Sequence, residues 1–353
     1  MKSILHSVFA LENFRHGQEE IVQAVVAGRD ILAVMATGSG KSLCYQLPAV
    51  ANSKRCLVVS PLISLMDDQV AKLNLLKIPA VATHSGNKNK SDWENDDRSQ
   101  ALSDWAQKKL NLLYVSPERI AKPEFFSFLK NNPPDFVAID EAHCIAQWGH
   151  DFREEYRLLG RLKKELACSV IALTATATPE VQKEIVESLY LSSPLIRVHG
   201  FYRPNLKFQG RMVSSKKERF QEIAKMVSTV DGATIVYCGT RKNVDELTAT
   251  LRGQKIKAYP YHAGMDTEDR EKSHQHFRED PKVVIVATSA FGMGVDRPDV
   301  RLVVHAQMPG TLEAYYQEAG RAGRDGEAAD CVLYFGGNDL AIQEFLSASL
   351  SIL

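Results

Sequence analysis

The sequence predicts an α/β fold in two tandem domains, each a mainly parallel β-sheet flanked by helices. Three observations support this prediction. The chain has 353 residues, which is long for one hydrophobic core. Short apolar runs alternate with amphipathic stretches, as expected where each strand is followed by a crossover helix. The alternation begins again near residue 206, so we expect one domain over residues 1–205 and another over residues 206–353.

Five apolar runs in the first half have the length and composition of strands that are buried on both faces. They cover residues 30–36, 55–61, 111–117, 136–140 and 170–176. The stretches 62–76 and 152–166 have the spacing of amphipathic helices. The polar segment 86–100 is expected to be an exposed loop, because it cannot bury enough apolar surface to pack.

The second half repeats the same order of elements. Strands are expected at residues 233–238, 282–288, 301–306 and 331–335, and helices at 218–227, 243–251 and 312–320. The segment 199–208 contains Gly200 and Pro204 and is the expected linker between the halves.

Composition limits the class of protein. The formal net charge is +0, from 43 basic and 43 acidic residues, so any surface that binds nucleic acid must be local. No apolar run approaches the ~20 residues of a membrane span, and the amino terminus lacks the pattern of a signal peptide. The six cysteines form no C-x-x-C pair. We therefore expect buried thiols, no zinc site and a cytoplasmic protein without a membrane partner.

The segment MATGSGKS follows a predicted strand and precedes a predicted helix. Its glycines let the backbone turn with the amide groups inward, so that loop and helix N-terminus form a cradle for phosphate. Lys41 is placed to reach the β- and γ-phosphates, and the Ser42 hydroxyl to hold Mg²⁺. Met35 stands where the P-loop pattern has glycine, and the alternative is a glycine-rich turn with an incidental Lys-Ser. The expected nucleotide-binding residues are Thr37, Gly38, Ser39, Gly40, Lys41 and Ser42.

The carboxylates Asp140 and Glu141 end the strand predicted at 136–140. Asp140 can bind Mg²⁺ directly or through water, and Glu141 can orient and partly deprotonate an attacking water. An Asp-Glu pair at a strand end is more often a solvated turn. A P-loop in the same domain favours the catalytic interpretation.

The segment FRHGQ contains two side chains that can recognise a base. The Gln18 amide can pair with adenine N6 and N7, and Arg15 can stack on the base or bond to it. The alternative is the surface of an N-terminal helix, and the segment alone does not decide between them.

Arg321 and Arg324 are three residues apart, so on a helical turn they project to one side. An arginine pair that faces the P-loop across a cleft would stabilise transition-state charge. The alternative is a pair of solvated arginines, but the glycines at 320, 323 and 326 favour close approach to a ligand.

The loop that follows the carboxylates has an unusual composition. Trp148 and Phe152 offer flat faces for nucleobases, and Arg153 can pair with phosphate or with Asp151. The alternative is that the aromatic side chains cover the core under a loop. Their closeness in sequence to Glu141 favours a loop that responds to bound nucleobases and controls hydrolysis.

In order, these segments resemble the helicase core of the RecQ family, superfamily 2 DNA helicases with two RecA-like lobes. The resemblance covers nearly the whole chain and includes TGSGKSLCYQLPA, VVSPLISLMDDQ, FYRPNL, YHAGM and YYQEAGRAGRDG. DEAHCIAQWGHDFR is its most specific segment. The resemblance implies ATP- and Mg²⁺-dependent 3′-to-5′ unwinding of DNA in recombination and repair. Single-stranded and forked DNA are the expected partners of a monomer that is nucleoid-associated in bacteria or nuclear in eukaryotes.

The resemblance also implies residue roles. It assigns Arg15 and Gln18 to adenine, and Arg321 and Arg324 to the γ-phosphate, with Gln317 at the same cleft. His143 would couple the lobes, and Thr174 and Thr176 would link the ATP state to lobe closure. The residues it implies near the DNA backbone are Pro61, Leu62, Ser64, Thr240, Arg241, His262 and Thr288.

Three features depart from the family pattern. Leu11 stands where an aromatic residue usually stacks on adenine. Asp296 and Arg297 replace a frequent Asn-Lys pair, and Asp296 is expected near the ribose or the lobe interface. The sequence contains no four-cysteine zinc module, winged-helix domain or HRDC domain. An RNA helicase and a non-enzymatic ATP-dependent scaffold are the alternative functions; VDRPD and the aromatic loop weigh against RNA.

We predict that Trp148→Ala keeps basal ATP hydrolysis and loses stimulation by single-stranded DNA, because stacking on an aromatic side chain is worth ~1–3 kcal/mol per base. Steady-state ATPase rates with and without DNA test this, with Trp93→Ala in the polar segment as the matched control. Full stimulation in the Trp148 variant would remove this residue from the coupling path.

Overall fold

A computed structural model describes residues 1–83, 96–146, 153–199, 203–292, 297–336 and 339 of the chain. Contacts divide the chain into two compact units, Met1–Phe201 and Tyr202–Leu353. This division falls inside the expected linker 199–208. Arg203 and Asn205 hydrogen-bond within the second unit, so they go with that unit and not with the expected first domain.

The first unit is built on a seven-stranded sheet in which the neighbouring strands are parallel. In chain order its strands are β1 (Ile31–Met35), β2 (Cys56–Val59), β3 (Ala80–Thr83), β4 (Leu112–Val115), β5 (Phe136–Ile139), β6 (Ser169–Thr174) and β7 (Leu195–His199). Across the sheet the order is β3-β4-β2-β5-β6-β1-β7.

Helices cover both faces of this sheet. They are α1 (Lys2–Ser7), α2 (Gln18–Val26), α3 (Leu43–Ala51), α4 (Ile63–Leu75), α5 (Asp96–Ala106), α6 (Pro117–Ile120), α7 (Pro123–Asn131), α8 (Glu154–Arg157), α9 (Gly160–Leu166) and α10 (Pro179–Ser188), with a 3₁₀ helix at Ala142–Ile145. Successive strand residues point to opposite faces, so Leu32 and Val34 enter one core cluster while Ile31 and Ala33 enter another.

The second unit repeats this architecture on a six-stranded parallel sheet. Its strands are β8 (Leu206–Met212), β9 (Ala233–Tyr237), β10 (Ala258–Tyr261), β11 (Val284–Ala287), β12 (Val300–His305) and β13 (Ala329–Phe335), in the order β10-β11-β9-β12-β13-β8. Its helices are α11 (Lys216–Val227), α12 (Arg241–Gly253), α13 (Thr267–Glu279) and α14 (Leu312–Ala319). The predicted pair of parallel α/β domains is confirmed.

Four strands escaped the sequence analysis, for a physical reason in each case. β7 and β8 are edge strands with charged, exposed positions, and they extend into the expected linker from both sides. β3 and β10 are short and only partly buried. Without continuous burial, none of them shows the apolar run typical of a central strand.

Two predicted segments differ from the structure. The loop prediction for 86–100 is wrong at its end, because α5 begins at Asp96 and buries Ala101, Leu102 and Trp105. The helix predicted over 152–166 is two short helices, α8 and α9. A side chain at Gly160, where α9 begins, would lie 2.3 Å from the Ser188 carbonyl oxygen, so the chain is closely packed there.

No helix in the described ranges is long and apolar enough to cross a membrane. All six cysteines are buried, and none is in a disulfide.

Asp30 joins three elements at the amino end of the first sheet. Its carboxylate is 4% exposed and accepts hydrogen bonds from Lys163 Nζ at 2.8 Å, Val170 N at 3.0 Å and Ser192 N at 2.7 Å. These donors belong to α9, β6 and the turn before β7.

We predict that Asp30→Ala lowers the free energy of unfolding by roughly 2–4 kcal/mol, because it leaves two amides and the ammonium of Lys163, whose side chain is 24% exposed, without their shared acceptor. Chemical denaturation measures the change, and Glu187→Ala on the surface of α10 is the control, with an expected effect within about 0.5 kcal/mol. Equal stability of the two variants would show that the Asp30 carboxylate does not stabilise the contacts between these three elements.

Candidate nucleotide-binding site and nucleic-acid contacts

The residues assigned to the nucleotide lie at the carboxyl ends of three neighbouring strands. The P-loop follows β1, Asp140 follows β5 and Thr174 ends β6, and these strands are adjacent in the order β5-β6-β1. In parallel sheets, the crevice beyond the carboxyl ends of the strands is where ligands bind. The fold therefore brings together segments that are more than a hundred residues apart in sequence.

The P-loop has the curled backbone that its glycines predict. Gly38 and Gly40 have φ of 79° and 82°, the left-handed region that favours glycine. A Cβ at Gly40 would lie 2.6 Å from Gln18 Nε2. Ser42 is the N-cap of α3, and Lys41 Nζ lies 3.4 Å from the Met35 carbonyl oxygen, a long hydrogen bond that a phosphate can replace.

Gln18 supports the P-loop in this structure. Its side chain is 2% exposed, and Nε2 donates to the carbonyl oxygens of Ser39 at 3.0 Å and Gly40 at 3.1 Å. Its Oε1 accepts from Arg15 N at 2.8 Å, and the Arg15 guanidinium donates to the Gly38 carbonyl oxygen. Both amide hydrogens are therefore in use, and bidentate pairing with adenine would require Gln18 to release one of these bonds.

The same segment is fixed to the last strand of the unit. The His199 ring packs against Gly17, where a Cβ would lie 2.1 Å from its Nε2. His16 meets the same ring edge-on at a centroid distance of 5.1 Å. Burial and, next, the charge of His16 lower the pKa of His199. Arg197 pairs with Glu20 on α2, so FRHGQ is held between β7 and the P-loop.

The two candidate catalytic carboxylates, Asp140 and Glu141, differ in their surroundings. Asp140 is 9% exposed, and its main-chain carbonyl oxygen accepts from Tyr156 Oη at 2.9 Å. Burial and then the charge of Glu141 raise the pKa of Asp140 to about 6, while Lys41 opposes the rise. Glu141 has φ of 49°, a left-handed conformation that is uncommon outside glycine and is found at functional sites.

His143 connects the carboxylates to β6. Its Nδ1 lies 2.8 Å from Thr174 Oγ1, which donates to the Thr176 carbonyl oxygen at 2.9 Å. Glu141 Oε2 is 3.3 Å from the same Nδ1 without hydrogen-bond geometry, and it has no hydrogen-bond partner among the described residues. The contacts seen for His143 and Thr174 are within the first unit.

The oxygen ligands present fit Mg²⁺ bound together with a nucleotide. Ser42 supplies a hydroxyl and Asp140 a carboxylate, the hard donors that Mg²⁺ takes in small number when phosphates complete its shell. Within the described residues, no group of three His, Cys, Asp or Glu side chains could hold a metal ion alone. A metal at this site would therefore depend on the phosphates.

Several residues assigned to DNA in the first unit are used in local contacts. Arg153 Nη1 donates to the Pro61 carbonyl oxygen at 3.2 Å and lies 3.7 Å from Glu118 Oε1. Leu62 is the N-cap of α4. Ser64 lies in the first turn of that helix, and its side chain is outside the described part of the structure. Trp148 and Phe152 also lie outside the described residues.

Three residues assigned to DNA in the second unit follow adjacent strands. His262 and Thr288 directly follow β10 and β11, and Thr240 is three residues beyond the end of β9; the three strands are neighbours in the sheet. Thr240 caps α12 by accepting from Asn243 N at 3.2 Å. The exposed Arg241 follows it, so a helix N-terminus and a cation are together at this edge.

His262 is fixed in one orientation. Its Nδ1 accepts from Gly264 N at 3.2 Å, so Nε2 carries the proton toward Asp245 Oδ1, also at 3.2 Å. The ring is 7% exposed. Asp296 lies outside the described residues.

The two arginines of the second unit have different surroundings. Arg321 is 7% exposed and donates to the Gly292 carbonyl oxygen. A Cβ at Gly292 would lie 2.4 Å from the Arg321 guanidinium carbon, so only glycine fits there. Arg324 is half-buried, and so is Gln317 on α14. Arg321 would have to leave Gly292, or receive the phosphate close to it, to act on a nucleotide.

Sequence reasoning missed some residues that shape these sites. Tyr156, His199 and the buried pair of His305 Nε2 and Glu318 Oε2, 2.8 Å apart, carry no local signal. Their contacts join segments that are distant in sequence.

Two family models of helicase domains match most of the chain. The family model described as DEAD/DEAH box helicase matches residues 15–185, and the model described as Helicase conserved C-terminal domain matches residues 216–326. Together they cover the P-loop, the carboxylates and the arginine pair.

Several similar curated proteins are named as ATP-dependent DNA helicases. The chain is 42% identical over 345 residues to "ATP-dependent DNA helicase RecQ" of Pasteurella multocida, covering 96% of this chain and 52% of that protein. It is 43% identical over 348 residues to the RecQ of Bacillus subtilis, covering 98% and 58%. "Probable ATP-dependent DNA helicase RecS" of B. subtilis is 38% identical over 346 residues, covering 98% and 68%. The chain spans about half the length of the RecQ relatives it matches.

Solved helicase structures share the fold. Mycobacterium smegmatis helicase Lhr bound to ssDNA and AMP-PNP has a TM-score of 0.72 at 20% identity, covering 92% of this chain and 46% of that one. S. cerevisiae Dbp5 bound to RNA and ADP BeF3 has a TM-score of 0.75 at 17% identity, covering 99% and 91%. These low identities show a common fold and nothing about ligands.

We predict that Gln18→Glu weakens binding of ATP and GTP alike, by roughly tenfold, because a carboxylate cannot donate to the P-loop carbonyls and a buried hydrogen bond is worth ~1–3 kcal/mol. Titration with fluorescent analogues of both nucleotides measures this. Gln23→Glu, on the exposed face of the same helix, is the matched control. A loss confined to ATP would instead make adenine recognition the main role of Gln18.

Proposed function

The chain belongs to the RecQ family of helicases, and on this basis we propose that it hydrolyses ATP to move along single-stranded DNA and to unwind duplex DNA in the 3′-to-5′ direction. One observation carries the proposal most. The P-loop, Asp140–Glu141 and the His143–Thr174 contact occupy the ends of adjacent strands in one unit. The names of the relatives, ATP-dependent DNA helicases, support the same activity.

The residues of the first unit have distinct roles in the proposed hydrolysis. The P-loop amides and Lys41 bind the phosphates, since the loop is already curled and Lys41 has only a long bond to Met35. Ser42 and Asp140 would hold Mg²⁺, which would neutralise phosphate charge when bound. Glu141 orients the attacking water; its Oε2 makes no hydrogen bond to the described residues and lies 3.3 Å from His143 Nδ1. The arginine pair of the second unit stabilises charge on the γ-phosphate.

Coupling to DNA uses residues beside the catalytic carboxylates and on the second unit. His143 is hydrogen-bonded to Thr174 at the end of β6. A movement of the segment beyond β6 therefore shifts His143 and, two residues away, Glu141. Thr240, Arg241 and Thr288 bind the DNA backbone, as a helix N-terminus with an adjacent cation suits phosphate. Alternate gripping by the two units then gives directional movement. We place this activity in recombination and repair, at the nucleoid or in the nucleus.

The decisive experiment measures ATPase with single-stranded DNA, with RNA and without nucleic acid, and then unwinding of forked duplexes with only a 3′ or only a 5′ tail. We expect stimulation by DNA and unwinding from the 3′ tail. Stimulation by RNA alone would replace DNA by RNA as the substrate. Unwinding from the 5′ tail alone would reverse the polarity, and ATPase without response to nucleic acid would leave a nucleotide-dependent binding module. Sedimentation in the same buffer tests whether the protein is a monomer.

We predict that Lys41→Ala abolishes hydrolysis, a loss of at least ~10²-fold, because it removes a fixed charge from the transferring phosphate. Phosphate release in the presence of single-stranded DNA is the measurement. Lys183→Ala, whose side chain is 76% exposed on α10, is the control and is expected to keep the wild-type rate. Wild-type turnover in the Lys41 variant would refute the phosphate assignment.

A further inference from the structure

Arg203, the first described residue after the connection between the units, reaches the loop that carries the arginine pair. Its Nη1 donates to the Gly320 carbonyl oxygen at 2.8 Å, and its Nη2 donates to the Gly323 carbonyl oxygen. These two carbonyls belong to the residues directly before Arg321 and Arg324. One guanidinium therefore holds both peptide groups from which the arginines begin.

Asn205 holds the same loop two residues further on. Its Nδ2 donates to the carbonyl oxygens of Gly323 at 2.9 Å and Glu327 at 2.8 Å, which uses both amide hydrogens. Gly323 has φ of 53°, and a Cβ there would lie 2.6 Å from Asn205 Nδ2. Gly323 N also donates to the Val300 carbonyl oxygen at 2.9 Å. The loop is thus closed against Asn205 on one side and β12 on the other.

The position of these bonds gives them a functional consequence. The carbonyl of Gly320 and the amide of Arg321 form one planar peptide group, and so do the carbonyl of Gly323 and the amide of Arg324. Fixing both carbonyls fixes the start of both arginine side chains. Hydrogen bonds from a guanidinium are charge-assisted and directional, so the orientation is held more firmly than by neutral donors.

We propose that Arg203 and Asn205, from the FYRPNL segment, are positioning residues that set the arginine pair for the γ-phosphate. This inference rests on the proposed ATPase function. The simpler alternative is that both residues only stabilise the second unit. The two roles have different consequences. A positioning role affects hydrolysis and the binding of nucleotides that carry a γ-phosphate or its mimic, and it leaves ADP binding by the first unit unchanged.

Asn205→Asp is the sharpest test, because it keeps the shape and replaces a donor by a carboxylate that faces two carbonyl oxygens. We expect kcat for ATP to fall about 10²-fold, the scale of a ~1 Å misplacement of a catalytic group. The affinity for ADP should stay within about twofold, while the affinity for ADP with aluminium fluoride, a mimic of the transferring phosphate, should fall with kcat.

Arg203→Lys is the second variant, for the case that Asn205→Asp lowers the melting temperature. It keeps the charge, but an ammonium lacks the fork that spans two carbonyls. Arg252→Lys is the matched control, because Arg252 Nε donates to a backbone carbonyl, that of Ala258 at 2.8 Å, elsewhere in the second unit. The control is expected to hydrolyse ATP at the wild-type rate.

The outcomes separate the inference from the function on which it rests. A wild-type protein without ATPase would refute the proposed function. With an active wild type, full activity of Asn205→Asp and Arg203→Lys would overturn the positioning role alone. Equal losses for ADP and for ADP with aluminium fluoride, or an equal loss in Arg252→Lys, would also overturn it and leave these residues a structural role.

Discussion

The candidate site depends on the parallel pairing of β5, β6 and β1. Ile139 pairs with Ala172, and Val34 pairs with Thr174. This register fixes the positions of the carboxyl ends of the three strands relative to one another. A slip of one residue would turn every side chain to the other face and move it into the wrong core. The two cores therefore fix the relative positions of the phosphate loop, the carboxylates and Thr174. The geometry of the candidate site is here a consequence of hydrophobic packing.

In both units, side-chain donors hold the loops of the candidate sites by their backbone carbonyls. Gln18 bonds two carbonyls of the P-loop, Arg153 bonds that of Pro61, and Asn205 bonds two in the arginine loop. Loops lack the regular pairing of helices and strands, and their polar backbone groups still require partners. Amides and guanidinium groups supply several hydrogens from one side chain. A ligand that displaces one such bond can shift a whole loop.

The sequence predicted the central strands and the P-loop because their signals are local. Buried parallel strands are continuous apolar runs, and Gly38, Gly40 and Lys41 are within four residues of one another. Edge strands such as β7 have no such run, and were missed. The hydrogen bond of Arg321 also could not be predicted from the sequence, because its acceptor Gly292 is 29 residues away along the chain. The same holds for Gln18, 21 and 22 residues from its two acceptors. Family resemblance suggested roles for these residues without showing their contacts.

The buried thiols have a practical consequence for spectroscopy. Burial raises the pKa of Cys44, Cys238 and Cys331 to about 12 and that of Cys168 to about 11. Thiolate is the form that reacts with maleimide dyes, so these sites react slowly in the folded protein. A cysteine introduced on the exposed face of each unit would therefore be labelled first. Donor and acceptor dyes could then report the separation of the units during turnover, with the native cysteines left in place.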